Sequence, residues 1–318
     1  MTVYIKIIPL TRMQSGNIVG IMVLQFLLLL LGVCAGASSI IMVKASTLHP
    51  VLLASYRQFA AVIFLLPLFF RDLKKKKIPL SPALLKPALL PGMALSLHFI
   101  TWFFGARMTL SANTTLIVNM APIVMPFFAF LFLKEVINGP ELAGTVLALA
   151  GAALLAVFDF HISRETFSGD MLSFISMIFF SVYFTLGRRN RGSSGLWVYL
   201  VPVYAVSGLC SFLASLFFVK PWEGLNGHNI LMTILLALIS TVAGHSILNH
   251  AAKVFRIQTV TLVNMSQFIF GGLFGYVFFN EIPKRFFYAA SLFITAGTVV
   301  VVLFSGLKHN RNRPRRRP

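Results

Sequence analysis

The residues of this chain that could do chemistry are a small set of polar side chains set inside long apolar runs. His245, Asn249 and Lys253 recur at i, i+4 and i+8, which places them on one face of a helix. His98 and Trp102 are one helical turn apart, Asn119 and Asn264 each sit in a Val-Asn-Met triplet, and Gln267 lies a turn beyond Asn264. Tyr56 and Arg57 share one run, and Tyr183 and Tyr204 lie in two others. These side chains suit reversible binding. Carboxamides offer oriented donors and acceptors worth about 1 kcal/mol each, aromatic rings offer an apolar wall, and a guanidinium attracts an anionic group. Tyr56, Arg57, His98, Trp102, Asn119, Tyr183, His245, Asn249, Asn264 and Gln267 are therefore the candidate solute-binding residues. Each also has a plain structural role open to it: interhelical hydrogen bonding for Asn and Gln, packing for His, and snorkelling for Arg57.

The same inventory speaks against catalysis. Asp72, Glu135, Glu141, Asp159, Glu165, Asp170, Glu223 and Glu281, all eight acidic residues, fall in loops or near the ends of apolar runs. There is no His-Glu-x-x-His, no Gly-x-Ser-x-Gly and no interior carboxylate pair. Neither an enzyme nor a metal or other cofactor is expected. With no mid-membrane carboxylate, any proton coupling falls to His98 or His245, since imidazole titrates near pH 6.5 when unperturbed. Uncoupled diffusion down the solute gradient is the alternative. Glu135 and Glu281 are expected at the N-terminal side of the helix that follows each of them, where the helix dipole favours an anion.

The elements that must position these residues follow from composition. Of 318 residues, 58% are hydrophobic and 11% charged, with 32 Phe. A soluble domain carries about twice that share of charge. A span needs roughly 20 apolar residues. Ten such runs are read at 18–43, 50–70, 84–106, 110–133, 139–158, 169–187, 196–219, 229–252, 257–279 and 285–307. Val33 stands where a lipoprotein cleavage site wants a small residue, so the first run is expected to stay as a helix. Cys34 and Cys210, the two cysteines, are expected to be inert packing residues. The net charge of +19 lies between the runs and in the tail 308–318, which excludes a folded nucleic-acid-binding face and suits contact with anionic lipid. With the N-terminus in the cytoplasm, 20 of the 27 Lys and Arg are cytoplasmic, and six are outside.

The chain repeats itself. LIVNMAPIVMPFFAFLFLKE (116–135) parallels TLVNMSQFIFGGLFGYVFFNE (261–281), and the next runs, LAGTVLALAGAALLAV (142–157) and FYAASLFITAGTVVVV (287–302), share a small-residue ending. Each repeat holds five runs, so the second half must be inverted relative to the first, an arrangement recurrent in transporters.

Several stretches carry a family resemblance: SSIIMVKASTLHPVLLASYRQFAA (38–61), ANTTLIVNMAPIVMPFFAFLFLKE (112–135), SGDMLSFISMIFFSVYFTLGRR (168–189) and GHSILNHAAK (244–253). Together they resemble the drug/metabolite transporter superfamily, specifically its EamA-type ten-helix members. The resemblance implies an all-α integral membrane protein of ten transmembrane helices, arranged as two inverted five-helix repeats. These would be 1–160 and 161–307, followed by a basic cytoplasmic tail, 308–318. It also implies export or exchange of small polar metabolites such as amino acids, both termini cytoplasmic, and a bacterial inner membrane. The alternatives are an uncoupled facilitator of a nucleoside, sugar or drug-like solute, and an intramembrane protein without transport activity. The expected partners are the solute and the lipid bilayer, with no nucleic acid; a homodimer is left open. Members with the Gly-His stretch usually carry Glu-Pro in the next helix, where this chain reads NMSQF (264–268).

Single cysteines placed in 159–168 and in 220–228 should react with a membrane-impermeant thiol reagent from the outer face; labelling of both from the cytoplasmic face alone contradicts this topology.

Overall fold

A computed structural model describes residues 15–159, 164–190 and 195–308, and within them the chain is all helix and turn. Lys6, Arg12, Arg191 and the tail from 309 onward, which the charge count used, lie outside the described residues. The first membrane helix comprises α1 (Ser15–Ala37) and α2 (Ser39–Ala45). Pro50 opens α3 (Pro50–Lys76), a position where its missing N–H costs nothing. Next come α4 (Leu89–Met108), α5 (Ser111–Asn119), α6 (Met125–Leu133) and α7 (Gly139–Asp159). The second half holds α8 (Arg164–Asn190), α9 (Leu196–Ser215), α10 (Gly227–Leu235), α11 (Ser246–Val254), α12 (Ile257–Asn264), α13 (Gln267–Phe279) and α14 (Arg285–Lys308).

Among the described residues, eight helical stretches are long and apolar enough to cross a membrane, and the bent pair α5–α6 makes a ninth. The expected tenth, 139–158, is occupied by α7, a helix of 21 residues whose first part, Gly139–Leu154, is apolar. Four of the expected runs are interrupted, 18–43 between α1 and α2 and 257–279 between α12 and α13 among them. The run 110–133 bends by 45° between α5 and α6. Pro122 and Pro126 cannot donate into a helical ladder, so the chain passes through a 3-10 turn at Ala121–Ile123. The Pro122 carbonyl accepts instead from Gln258 Nε2, 3.1 Å away. The run 229–252 contains a π-helical segment, Leu236–His245, between α10 and α11. Its wider turn lets Thr241 Oγ1 reach the Leu236 carbonyl, five residues back, at 3.3 Å.

The two halves pack on each other helix by helix: α3 on α9, α4 on α8, α5 on α13, α7 on α14, and α1 on the π segment. Small residues set the closest crossings, as is general where lipid gives no hydrophobic drive between helices. A Cβ on Gly244 would lie 2.9 Å from the Gly36 nitrogen. At the α7–α14 crossing, a Cβ on Gly297 would lie 2.5 Å from the Gly144 carbonyl oxygen, and one on Gly151 2.9 Å from that of Ala290. Lys134 and Asn280 both adopt left-handed backbone, φ 58° and 54°, capping α6 and α13 just before Glu135 and Glu281.

Gly297→Val should force α7 and α14 apart and lower thermal stability by about 1–3 kcal/mol, the usual cost of overpacking. Gly139→Ala, where a Cβ meets nothing within 4 Å, is the control. Equal melting temperatures for the two variants would refute the crossing.

Candidate functional site

The broken helices bring their interruptions together at the centre of the bundle. Asn119 ends α5, Asn264 ends α12, and Gln267 opens α13. Their carboxamides form a ring of hydrogen bonds. Gln267 Nε2 donates to Asn264 Oδ1 at 2.6 Å, Asn264 Nδ2 to Asn119 Oδ1 at 2.6 Å, and Asn119 Nδ2 to Gln267 Oε1 at 3.5 Å. Asn119 Nδ2 also reaches the Thr115 carbonyl at 2.8 Å. Both asparagines are buried, so neither faces lipid.

Beside the ring lies a cavity of about 30 Å³. Six of the ten candidate residues line it: His98, Trp102, Asn119, His245, Asn264 and Gln267. A volume of that size holds about one water and falls far below the roughly 300–1,000 Å³ of ordinary ligand sites. In this structure the cavity is too small for a metabolite. The Trp102 indole N–H has no acceptor among the protein groups, which leaves it available to a solute. His98 Nδ1 is held by the Ser176 hydroxyl at 2.8 Å.

Three further candidates stand behind this wall. Asn249 Nδ2 donates to the Tyr183 hydroxyl at 2.7 Å, and the Tyr183 ring is 6.4 Å from that of His245. Arg57 is completely buried, so it does not snorkel. Its Nε donates to Thr241 Oγ1 at 2.6 Å, and its guanidinium carbon sits 3.9 Å from the centre of the Phe99 ring. Phe99 itself lines the cavity, so one aromatic ring separates the cation from it. Tyr56 is not brought to the cavity. Consecutive helix residues point about 100° apart, and while Arg57 turns inward the Tyr56 hydroxyl donates to the Pro221 carbonyl in the loop before α10. Lys253, expected on the face of His245 and Asn249, is exposed.

Sequence reasoning missed Phe99 and Phe180, which lie among 32 Phe and carry no polar signal. It also missed Gly36 and Ser39 of the first helix and Thr241, whose inward position depends on the π segment. Gly36 could have been found as a small residue in a helix crossing.

The ends of the site are held by charge. Lys44 Nζ pairs with Glu281 Oε1 at 2.5 Å, and Arg188 Nη2 with Glu135 Oε1 at 2.6 Å. Glu281 Oε2 also accepts the backbone N–H of Ser111, at 2.8 Å. Ser111 begins α5 and Glu135 follows α6, so the two pairs lie at opposite ends of one bent membrane helix. The expected dipole role needs correction here. Glu281 caps the N-terminus of α5 rather than that of the helix following it, and Glu135 is bound to Arg188. Glu141 is the carboxylate in the first turn of α7, where it and Asn138 cap each other at 2.9 and 3.0 Å. Glu141 also pairs with Arg256 at 2.5 Å.

Asn119→Leu and Asn264→Leu should each destabilise by about 1–3 kcal/mol, because each strands the partner amide. The double variant should recover about 0.5–2 kcal/mol of the sum. Strict additivity in thermal unfolding would show that the two amides do not interact.

Comparison with known proteins fits this arrangement. Residues 22–157 and 167–303 each match the EamA-like transporter family. Solute carrier family 35 member G1 of Mus musculus is 23% identical over 219 residues, which are 66% of this chain and 59% of that protein. The chain thus spans about 59% of the length of the curated relative it matches. A crystal structure of a protein at 17% identity superposes with a TM-score of 0.68, covering 90% of this chain and 99% of the other. At that identity the likeness concerns the fold alone. With two matches that together cover most of its length, this multi-pass chain belongs to the EamA-like transporter family, within the drug/metabolite transporter superfamily.

Proposed function

We propose that the protein moves small polar metabolites, amino acids or related compounds foremost, across a bacterial cytoplasmic membrane by alternating access, in export or exchange. The observation that carries this reading is the small, partly polar cavity lined from both halves, beside a bent helix whose two ends are each held by an ion pair. Opening the Lys44–Glu281 end while Arg188–Glu135 stays closed, and then the reverse, exposes the cavity to one side at a time. Such partly exposed pairs are worth about 1 kcal/mol each, weak enough to break and re-form in every cycle.

Inversion of the two halves is part of the proposal, and the contacts support it. The shift of 146 residues that carries Glu135 onto Glu281 also carries Gly144 onto Ala290 and Gly151 onto Gly297. It therefore exchanges the two close α7–α14 contacts, Gly144 with Gly297 and Gly151 with Ala290. A contact set that survives exchange of the halves is what a two-fold axis in the membrane plane produces. In this arrangement α7, 21 residues long, makes a tenth crossing.

Purified protein in liposomes should exchange at least one of labelled alanine, serine, lactate, uridine or glucose in saturable counterflow; silence toward all five would contradict the proposal. If a pH gradient drives accumulation, the double variant His98→Gln/His245→Gln should abolish it, because no other buried titratable pair lines the cavity. In a background without Cys34 and Cys210, Glu281→Gln should raise labelling of Ser39→Cys from the outer face several-fold, and Glu135→Gln from the cytoplasmic face. Equal labelling from both faces in either variant contradicts separate closures.

A further inference from the structure

We infer that the solute carries a single carboxylate-type negative charge that docks on Nη1 and Nη2 of Arg57 when the Phe99 ring moves aside. This rests on the transport reading of the same cavity. Arg107 shows how this fold satisfies a structural arginine: its three nitrogens donate to the carbonyls of Val43, Leu48 and Ser46 at 3.1, 2.7 and 2.8 Å. Arg57 is treated differently. Only Nε is engaged, by Thr241, while Nη1 and Nη2 are fully buried with no protein partner. None of the four ion pairs among the described residues includes it. Burying a guanidinium without a counter-charge is strongly unfavourable. The face of Phe99 at 3.9 Å offsets that cost only in part.

The free edge decides the chemistry. With Nε occupied, the two terminal nitrogens present a parallel pair of donors, which matches the two oxygens of a carboxylate end-on. One cation suits one negative charge. A phosphate monoester, at about −1.5 to −2 near neutral pH, exceeds it. Within the metabolites proposed above, this favours related carboxylates over the amino acids themselves, because a zwitterion would bring an ammonium into a cavity that no carboxylate among the described residues lines. The unpaired Trp102 N–H and the carboxamides of Asn119, Asn264 and Gln267 then serve hydroxyl or carbonyl groups on the rest of the solute. Phe99 touches both the cation and the cavity, so its displacement uncovers the charge only when a solute is there to take its place.

The test is thermal unfolding of the purified full chain in detergent with lactate, alanine, uridine or inorganic phosphate. Lactate at a tenfold to thirtyfold excess over its dissociation constant should raise the melting temperature by about 2–4 °C, and the other three should raise it less. Arg57→Gln should abolish the lactate shift and yet melt higher than wild type without ligand, which a merely structural arginine would not do. Phe99→Leu should lower the half-saturating lactate concentration about tenfold, the loss of a competing cation–π contact. If Arg57→Gln fails to fold, Arg57→Lys keeps the charge without the fork and should weaken lactate about tenfold or more. A missing lactate shift in wild type, a lactate shift that survives in the Arg57 variant, or a larger shift with alanine, uridine or phosphate overturns the assignment. Arg57-dependent lactate binding without counterflow would sink the transport reading alone. Counterflow of alanine or uridine without such binding would sink only the anion assignment.

Discussion

A polar group at mid-membrane has no water to turn to, and this constraint organises the molecule. The 2.6 Å bond from Asn264 to Asn119 joins the two halves where each has a helix that breaks. The breaks and the bond require one another. Breaking the helix at Asn119 frees backbone groups that an apolar core would not tolerate, and a side chain takes up one of them, Gln258 on the Pro122 carbonyl. Gln267 completes the ring and gives the cavity a polar wall without a formal charge.

Around this centre the fold is tight where it must hold and weak where it must move. Glycines bring the α7 and α14 backbones into direct contact, and Gly36 does the same for α1 against the π segment. The ends of the bent helix α5–α6 rest instead on partly exposed ion pairs. Glu281 gathers Lys44, the start of α5 and the end of α13 at one mouth. Arg188 gathers Glu135 and the Phe255 carbonyl at the other. Each mouth thus depends on a few polar bonds between elements of different halves, while the crossings between them rest on backbone contact. The proposed alternating access draws on this contrast, with the ends opening separately around a firmly packed middle.

Much of this was legible from residue types alone. Apolar runs located the membrane helices because lipid demands length and hydrophobicity. The paired Val-Asn-Met triplets pointed to the centre because a buried amide must find a partner. What sequence could not give was direction around a helix axis and the places where the helix changes its winding. Tyr56 and Arg57 are neighbours in sequence, yet one serves an outer loop and the other the core. The π segment that turns Thr241 toward Arg57 has no residue signature in LALISTVAGH. Glu281 was assigned to the wrong helix because its partner, Ser111, is 170 residues away. Phe99 and Phe180 carry no mark that separates a cavity wall from a lipid-facing surface.

The most direct test of alternating closure is to lock one mouth. In a chain lacking Cys34 and Cys210, Lys44→Cys and Glu281→Cys place two thiols where the structure holds an ion pair at 2.5 Å. Counterflow of a transported solute in liposomes is then measured with this pair bridged by a short thiol cross-linker and again after the cross-link is cleaved. The account predicts that exchange stops when the pair is bridged and returns on cleavage. Undiminished exchange through a fully bridged protein would contradict it.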